Sequence, residues 1–181
     1  MIKFIPPFLL ITFSLIACKS DDVSDLDDLL NDDDDLKGAH VTAKVNGDQF
    51  TSADDALRAT FEETDMYFTL AFGAVSVSSG KARGIALGVA GLSSEPLEVG
   101  ATFTNEETDE GIGVEAAYSE GPVNDADADV STDELLEISI KLTAIDRDNK
   151  TISGEFNFKA LDEESNKTYT ITEGMFSEIP Y

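Results

Sequence analysis

From His40 to Tyr181 apolar side chains recur at every second position, run after run. A period of two sends alternate side chains to opposite faces of an extended chain, whereas a helix needs spacings of three and four. Val41, Ala43 and Val45 alternate with Thr42 and Lys44, and Leu57, Ala59 and Phe61 alternate with Arg58 and Thr60. Met66, Phe68, Leu70 and Phe72 share a face, as do Ile85, Leu87 and Val89. Leu97, Val99, Ala101 and Phe103 form the next line, then Ile112, Val114, Ala116 and Tyr118. The cleanest lines come last: Leu136, Ile138, Ile140, Leu142 and Ala144, then Ile152, Gly154, Phe156, Phe158 and Ala160. Tyr169 and Ile171 open a final segment that reaches Phe176 and Ile179. One buried and one wet face per strand is typical of antiparallel sheets. The pattern predicts an all-β domain over residues 39–181, an antiparallel β-sandwich of about 8–10 strands. A closed lipocalin-like β-barrel is the alternative, since alternation alone does not separate the two.

Polar turns punctuate these runs. Asn46-Gly47 carries the composition of a tight hairpin turn, in which both central residues need positive φ. Glu62–Asp65, Ser78–Lys81, Asp146–Lys150 and Asp162–Asn166 read as turns, and 105–111 and 119–134 as longer polar loops. The strand around Ile85 is unusual, because its other face is Gly84, Ala86, Gly88 and Ala90. Glycine inside a strand marks a bend or the close approach of another backbone. The reading taken is a bend or a face covered by a loop; the alternative is a shallow floor for a ligand.

The N-terminus gives an address. Lys3 precedes an apolar run from Phe4 to Ile16, which is shorter than the roughly 20 residues a spanning helix requires and suits a secretory signal. The run ends Leu15-Ile16-Ala17-Cys18, which resembles the lipobox of bacterial lipoproteins. That resemblance implies cleavage before Cys18, acylation of Cys18, and membrane attachment through the lipid. Residues 1–17 are then the signal peptide and residues 18–38 an acidic flexible tether. Lys19 to Gly38 contains nine aspartates, two lysines and no aromatic residue, so it self-repels and buries little. The stretch Lys19-Ser20-Asp21-Asp22 resembles the acidic export signal of Bacteroidota surface lipoproteins. It implies the outer membrane, with the cell surface favoured over the periplasmic face. Ala43-Lys44-Val45-Asn46-Gly47-Asp48-Gln49-Phe50, Ile152–Ala160 and Tyr169–Phe176 are similar to the ends of an uncharacterised lipoprotein family of that group. No activity is implied by that likeness.

Charge and composition exclude several functions. Loss of residues 1–17 removes one lysine and no acid, taking the formal net charge from −25 to −26. Such a surface repels nucleic acid and favours cationic surfaces, divalent ions or a protein partner. Cys18 is the single cysteine and His40 the single histidine, which leaves no disulfide, no thiol chemistry in the folded part, and a poor ligand set for zinc. His40 sits where tether meets domain and reads as a solvated residue rather than a catalytic base. No phosphate-cradling or dinucleotide fingerprint is present, so no organic cofactor is expected. With 37 acids a pair of carboxylates for glycoside hydrolysis can always be nominated, and the nomination carries no information.

One loop suits a hard cation. Asp125, Asp127 and Asp129 have the spacing of the first three ligands of an EF-hand, with Asp133 or Glu134 available to complete a different cage. Val130 stands where that motif needs glycine and Leu136 where it needs glutamate. A solvated acidic loop is the reading taken, and a calcium site the alternative. The expected role is a non-enzymatic binding or interaction domain on a lipid anchor, its partner an unknown protein or small molecule. The alternatives are a carrier of a small apolar ligand inside a barrel, and a carboxylate-based hydrolase.

Overall fold

The computed structural model describes residues 40–52, 57–92, 97–105, 111–123 and 130–181. Cys18, the tether, and Asp125, Asp127 and Asp129 lie outside these residues. The described chain is all β, with no helix. Its strands are β1 (His40–Val45), β2 (Asp48–Thr51), β3 (Leu57–Glu63), β4 (Tyr67–Ser78), β5 (Lys81–Leu92), β6 (Thr102–Thr104), β7 (Ile112–Pro122), β8 (Val130–Ser131), β9 (Glu134–Asp146), β10 (Thr151–Asp162) and β11 (Lys167–Pro180).

Two antiparallel sheets pack face to face. One runs β2-β1-β11-β10-β9-β6, the other β3-β4-β5-β7-β8. This is the expected sandwich, and the sheets do not close into a barrel. Among the described residues the strands number eleven, because β6 and β8, of three and two residues, join those visible as alternating runs.

The buried faces interlock through aromatic rings. Phe72 of β4 lies 4.9 Å from the Phe176 ring and 6.1 Å from that of Phe156, both on the opposite sheet. Leu70, Ile85, Leu87 and Val89 on one side and Val41, Ile140, Leu142, Ile152 and Ile171 on the other fill the rest, each at most 3% exposed. Aliphatic and aromatic side chains buried this fully contribute about 1.5–3 kcal/mol each.

Turn chemistry fixes the hairpins. Asn46 and Gly47 take φ of 50° and 93°, and Ser79 and Gly80 54° and 77°, so both pairs meet the requirement for positive φ. The β9–β10 and β10–β11 turns share another device. Asp146 accepts the N–H groups of Asp148 and Asn149, Asp162 accepts those of Glu164 and Ser165, and Lys150 and Asn166 close the turns, both at φ 52°. The Asn149 hydrogen bonds hold the Asp146 carboxyl below its usual range, and the Ser165 hydroxyl does the same for Asp162.

Bulges account for most departures from strict alternation. Across β9 and β10 the register slips once between Ala144 and Leu142 and once between Glu137 and Leu135. Each extra residue flips the strand beyond it. Leu136 and Ala144 are therefore exposed, contrary to expectation, and Leu135 and Ile145 pack against the core instead. In β11 the steps from Ile171 to Phe176 and from Phe176 to Ile179 are odd, yet all three are buried. Glu173 and Glu178, both at φ 50°, absorb the surplus residues where the β10 pairing shifts. Val99 is 60% exposed and Met66 72% exposed, because turns replace the expected strand ends there. His40 is the first residue of β1, half-buried and paired with Ser177, rather than a solvated boundary residue.

Candidate binding groove

The small residues of β5 pave the outer face of the five-stranded sheet. Cross-strand pairing brings Gly73 of β4 opposite Ala86, Ala71 opposite Gly88, and then Ala117 and Glu115 of β7 opposite Ala86 and Gly88. These positions point away from the core, since Phe72, Leu87 and Ala116 beside them point inward. An open groove of about 420 Å³ lies over this floor, lined by Ala71, Ala86, Gly88, Glu115 and Ala117, and at its side by Thr132, Asp133 and Leu135. Strand β5 pairs without a bulge, and among the described residues no loop covers Gly73 or Gly88, whereas Gly84 is crowded, a Cβ there meeting Ser119 Oγ at 2.7 Å. A Cβ built at Gly73 would meet nothing within 4 Å, and one at Gly88 only Glu115 Cβ at 3.9 Å. Neither has the positive φ that requires glycine. Glycine costs a strand about 0.5–1 kcal/mol relative to alanine, and among the described residues nothing demands it at positions 73 and 88.

The groove borders an incomplete sheet edge. The β5–β7 ladder is regular from Ile112 to Pro122, but β8 pairs with β7 only at Ser119 and Glu120. Thr132 extends the contact by one step. Its N–H donates to the Tyr118 carbonyl at 3.0 Å, and the Tyr118 N–H donates to Thr132 Oγ1 at 2.9 Å. Backbone groups alternate in direction along a regular strand. Tyr118 turns its groups away from β5, so Ala116, Val114 and Ile112 do the same. Among the described residues no strand pairs with them on that side. The adjoining edge of β9 is handled differently. There the Asn105 amide donates to the Leu136 carbonyl and accepts the Ile138 N–H, substituting for a neighbouring strand.

A second polar group sits where β7 meets β11. Tyr118 and Tyr169, 1% and 2% exposed, pack with ring centroids 4.9 Å apart and planes tilted by 37°. Both hydroxyls donate to Glu120, at 3.0 and 3.3 Å, and Lys167 Nζ donates to the Tyr169 hydroxyl at 3.0 Å. Burial and the Glu120 hydrogen bond push the Tyr118 phenol well above its usual range, while the Tyr169 hydroxyl and nearby carboxylates raise Lys167. Tyr118 therefore keeps its proton and Lys167 its charge through neutral pH, so neither has the near-neutral pKa suited to general acid–base work. The arrangement ties the two sheets and satisfies two buried phenols. Its sequence signal is the spacing of two in Tyr118/Glu120 and in Lys167/Tyr169, which puts each pair on one strand face.

Of the proposed cation ligands, the structure describes Asp133 and Glu134. The Asp133 N–H donates to the Leu161 carbonyl at 2.8 Å, and its carboxylate accepts the Glu163 N–H at 3.2 Å. Glu134 begins β9, opposite Leu161, with its side chain exposed. Among the described residues no three His, Cys, Asp or Glu side chains gather in a metal-holding group. Sequence reasoning missed Glu115, Ala117 and Thr132. The available signal was a second small face, Ala71/Gly73 and Gly113/Ala117, flanking the one on β5.

No curated protein and no solved structure matches the chain. Residues 39–180 match a family described as a domain of unknown function. With most of its length matched, the chain belongs to that family, DUF6252.

Proposed function

We propose that the protein is a lipid-anchored binding module of the bacterial outer membrane, facing the cell surface. Cys18 carries the acyl chains, and the aspartate-rich segment 18–38 spaces the sandwich from the bilayer. On roughly 5–6 Å × √n that segment reaches on the order of 25 Å, more when its charges repel. Two acyl chains suffice for stable attachment. The outer face of the five-stranded sheet is the binding face. One observation carries this role: a floor open among the described residues and kept low at Gly73 and Gly88, where neither backbone conformation nor packing requires glycine. The barrel-carrier alternative loses its basis, because the two sheets stay open and aromatic rings fill the space between them.

The test uses the anchored protein in cells. Wild type partitions into a detergent phase and Cys18→Ala into the aqueous phase. A photo-cross-linking residue at Ala117 yields a discrete adduct, whereas one at Lys159, on the other sheet, yields none. An aqueous wild type, or adducts independent of position, contradicts the reading.

A further inference from the structure

Unpaired main-chain groups at a sheet edge define their own ligand. Ile112, Val114 and Ala116 present N–H and C=O groups away from β5, and the two-residue β8 leaves them without a neighbour among the described residues. An exposed row of this kind is a template for another extended chain. The other sheet edges are blunted. Strand β3 bears Glu62 and Glu63, and Glu63 is engaged by Arg147 and by the Leu97 N–H. Strand β2 is four residues long, and Asn105 caps the exposed stretch of β9. Between Ile112 and Ala116 the only charge is Glu115, which points over the groove rather than along the edge.

Charge selects the occupant. No lysine or arginine lines the groove, whose charged groups are Glu115 and Asp133. With a formal net charge of −25, a second copy of this chain is repelled. A side chain leaning in from a strand beside β7 first meets the outer face of β7, Ala117 and the Glu115 carboxylate, with Ala86 and Gly88 of β5 beyond. An alanine beside a carboxylate fits the aliphatic stem and charged head of lysine or arginine.

We propose that the β7 edge at Ile112–Ala116 accepts an extended cationic segment of a partner protein as an added strand. Its backbone pairs with Val114 and Ala116, and its outward lysine or arginine side chains lie beside Ala117 and reach the Glu115 carboxylate at the border of the Ala86/Gly88 floor. This identifies the partner of the binding face proposed above and rests on that reading.

The probe is a peptide of alternating lysine and valine, titrated into the 15N-labelled full chain. Its controls are a glutamate–valine counterpart and a lysine–valine peptide N-methylated at alternate residues. The lysine–valine peptide is expected to shift and protect the Val114 and Ala116 amides. Both controls fail to do so, and Glu115→Lys weakens binding about tenfold while the spectrum stays that of the folded chain. Equal binding of the glutamate–valine or N-methylated peptide overturns strand addition. So does the absence of any shift along β7. Shifts at Ala86, Gly88 and Ala117 without protection at Val114 and Ala116 also overturn strand addition, but leave the groove as the binding face. The position-dependent cross-link at Ala117 judges that broader reading separately.

Discussion

Gly154→Ala is expected to destabilise the domain by about 3 kcal/mol, at the upper end of what a single added methyl costs in a filled core. Gly154 of β10 lies opposite Phe176 of β11, and Phe156 lies opposite Gly174. Each ring covers the glycine across from it, and the two rings stack at 6.5 Å. A Cβ at Gly154 would sit 2.5 Å from the Lys141 carbonyl oxygen and run into the Phe176 ring. A Cβ at Gly174 would meet the Phe156 carbonyl oxygen at 2.5 Å and its ring at 2.6 Å. A ring can rotate away, but a carbonyl inside a ladder cannot. The double variant Gly154→Ala/Phe176→Leu should therefore recover only part of the loss. Gly88→Ala is the matched contrast: with open space above it, the added methyl should raise stability by about 0.5 kcal/mol. Urea unfolding of the variants measures both, and equal effects at positions 154 and 88 would contradict the packing described.

Phe72→Ala should cost about 4 kcal/mol, within the range for deleting a buried aromatic side chain. Its ring is 1% exposed and is the contact through which β4 meets both Phe156 and Phe176. Removing it leaves a void bordered by the two rings that also fill the space above the glycines, so the site cannot collapse without moving those pairs. Phe72→Leu, which keeps much of the volume, should cost no more than about 1.5 kcal/mol. Because 72 and 176 touch, the losses at Phe72→Ala and Phe176→Ala should not add. A loss below about 1 kcal/mol for Phe72→Ala, read from the urea midpoint at constant slope, would mean the sheets do not meet through this ring.

Alternation was a sound guide wherever pairing stayed regular. Strands β4 and β5 match residue for residue over their whole length, and their inward lines are those read from the sequence. It failed at Leu136 and Ala144, because a bulge depends on how two distant strands pair and the surplus residues, Leu136 and Thr143, carry no local mark. The bulge in β11 is more visible, since Ile171 and Phe176 cannot both face inward along an unbroken strand and Gly174 lies between them. The small face of β5 was legible as an anomaly, but its meaning was not. Whether glycines are covered or open depends on which strands flank them, and that is non-local. The open β7 edge was invisible for the same reason. Its cause is the shortness of β8, whereas the sequence shows only a polar stretch from Ser119 to Glu134.

Residue-resolved amide exchange of the full chain without ligand tests the open edge most directly. Gly113, Glu115 and Ala117 turn their amides toward β5, and the Tyr118 amide is held by Thr132. These four should exchange slowly, whereas Val114 and Ala116 should exchange like solvated amides, an alternation of period two along one strand. Uniform protection from Gly113 to Tyr118 would show that something already occupies the edge, and the account of β7 as an unfilled strand position would be wrong.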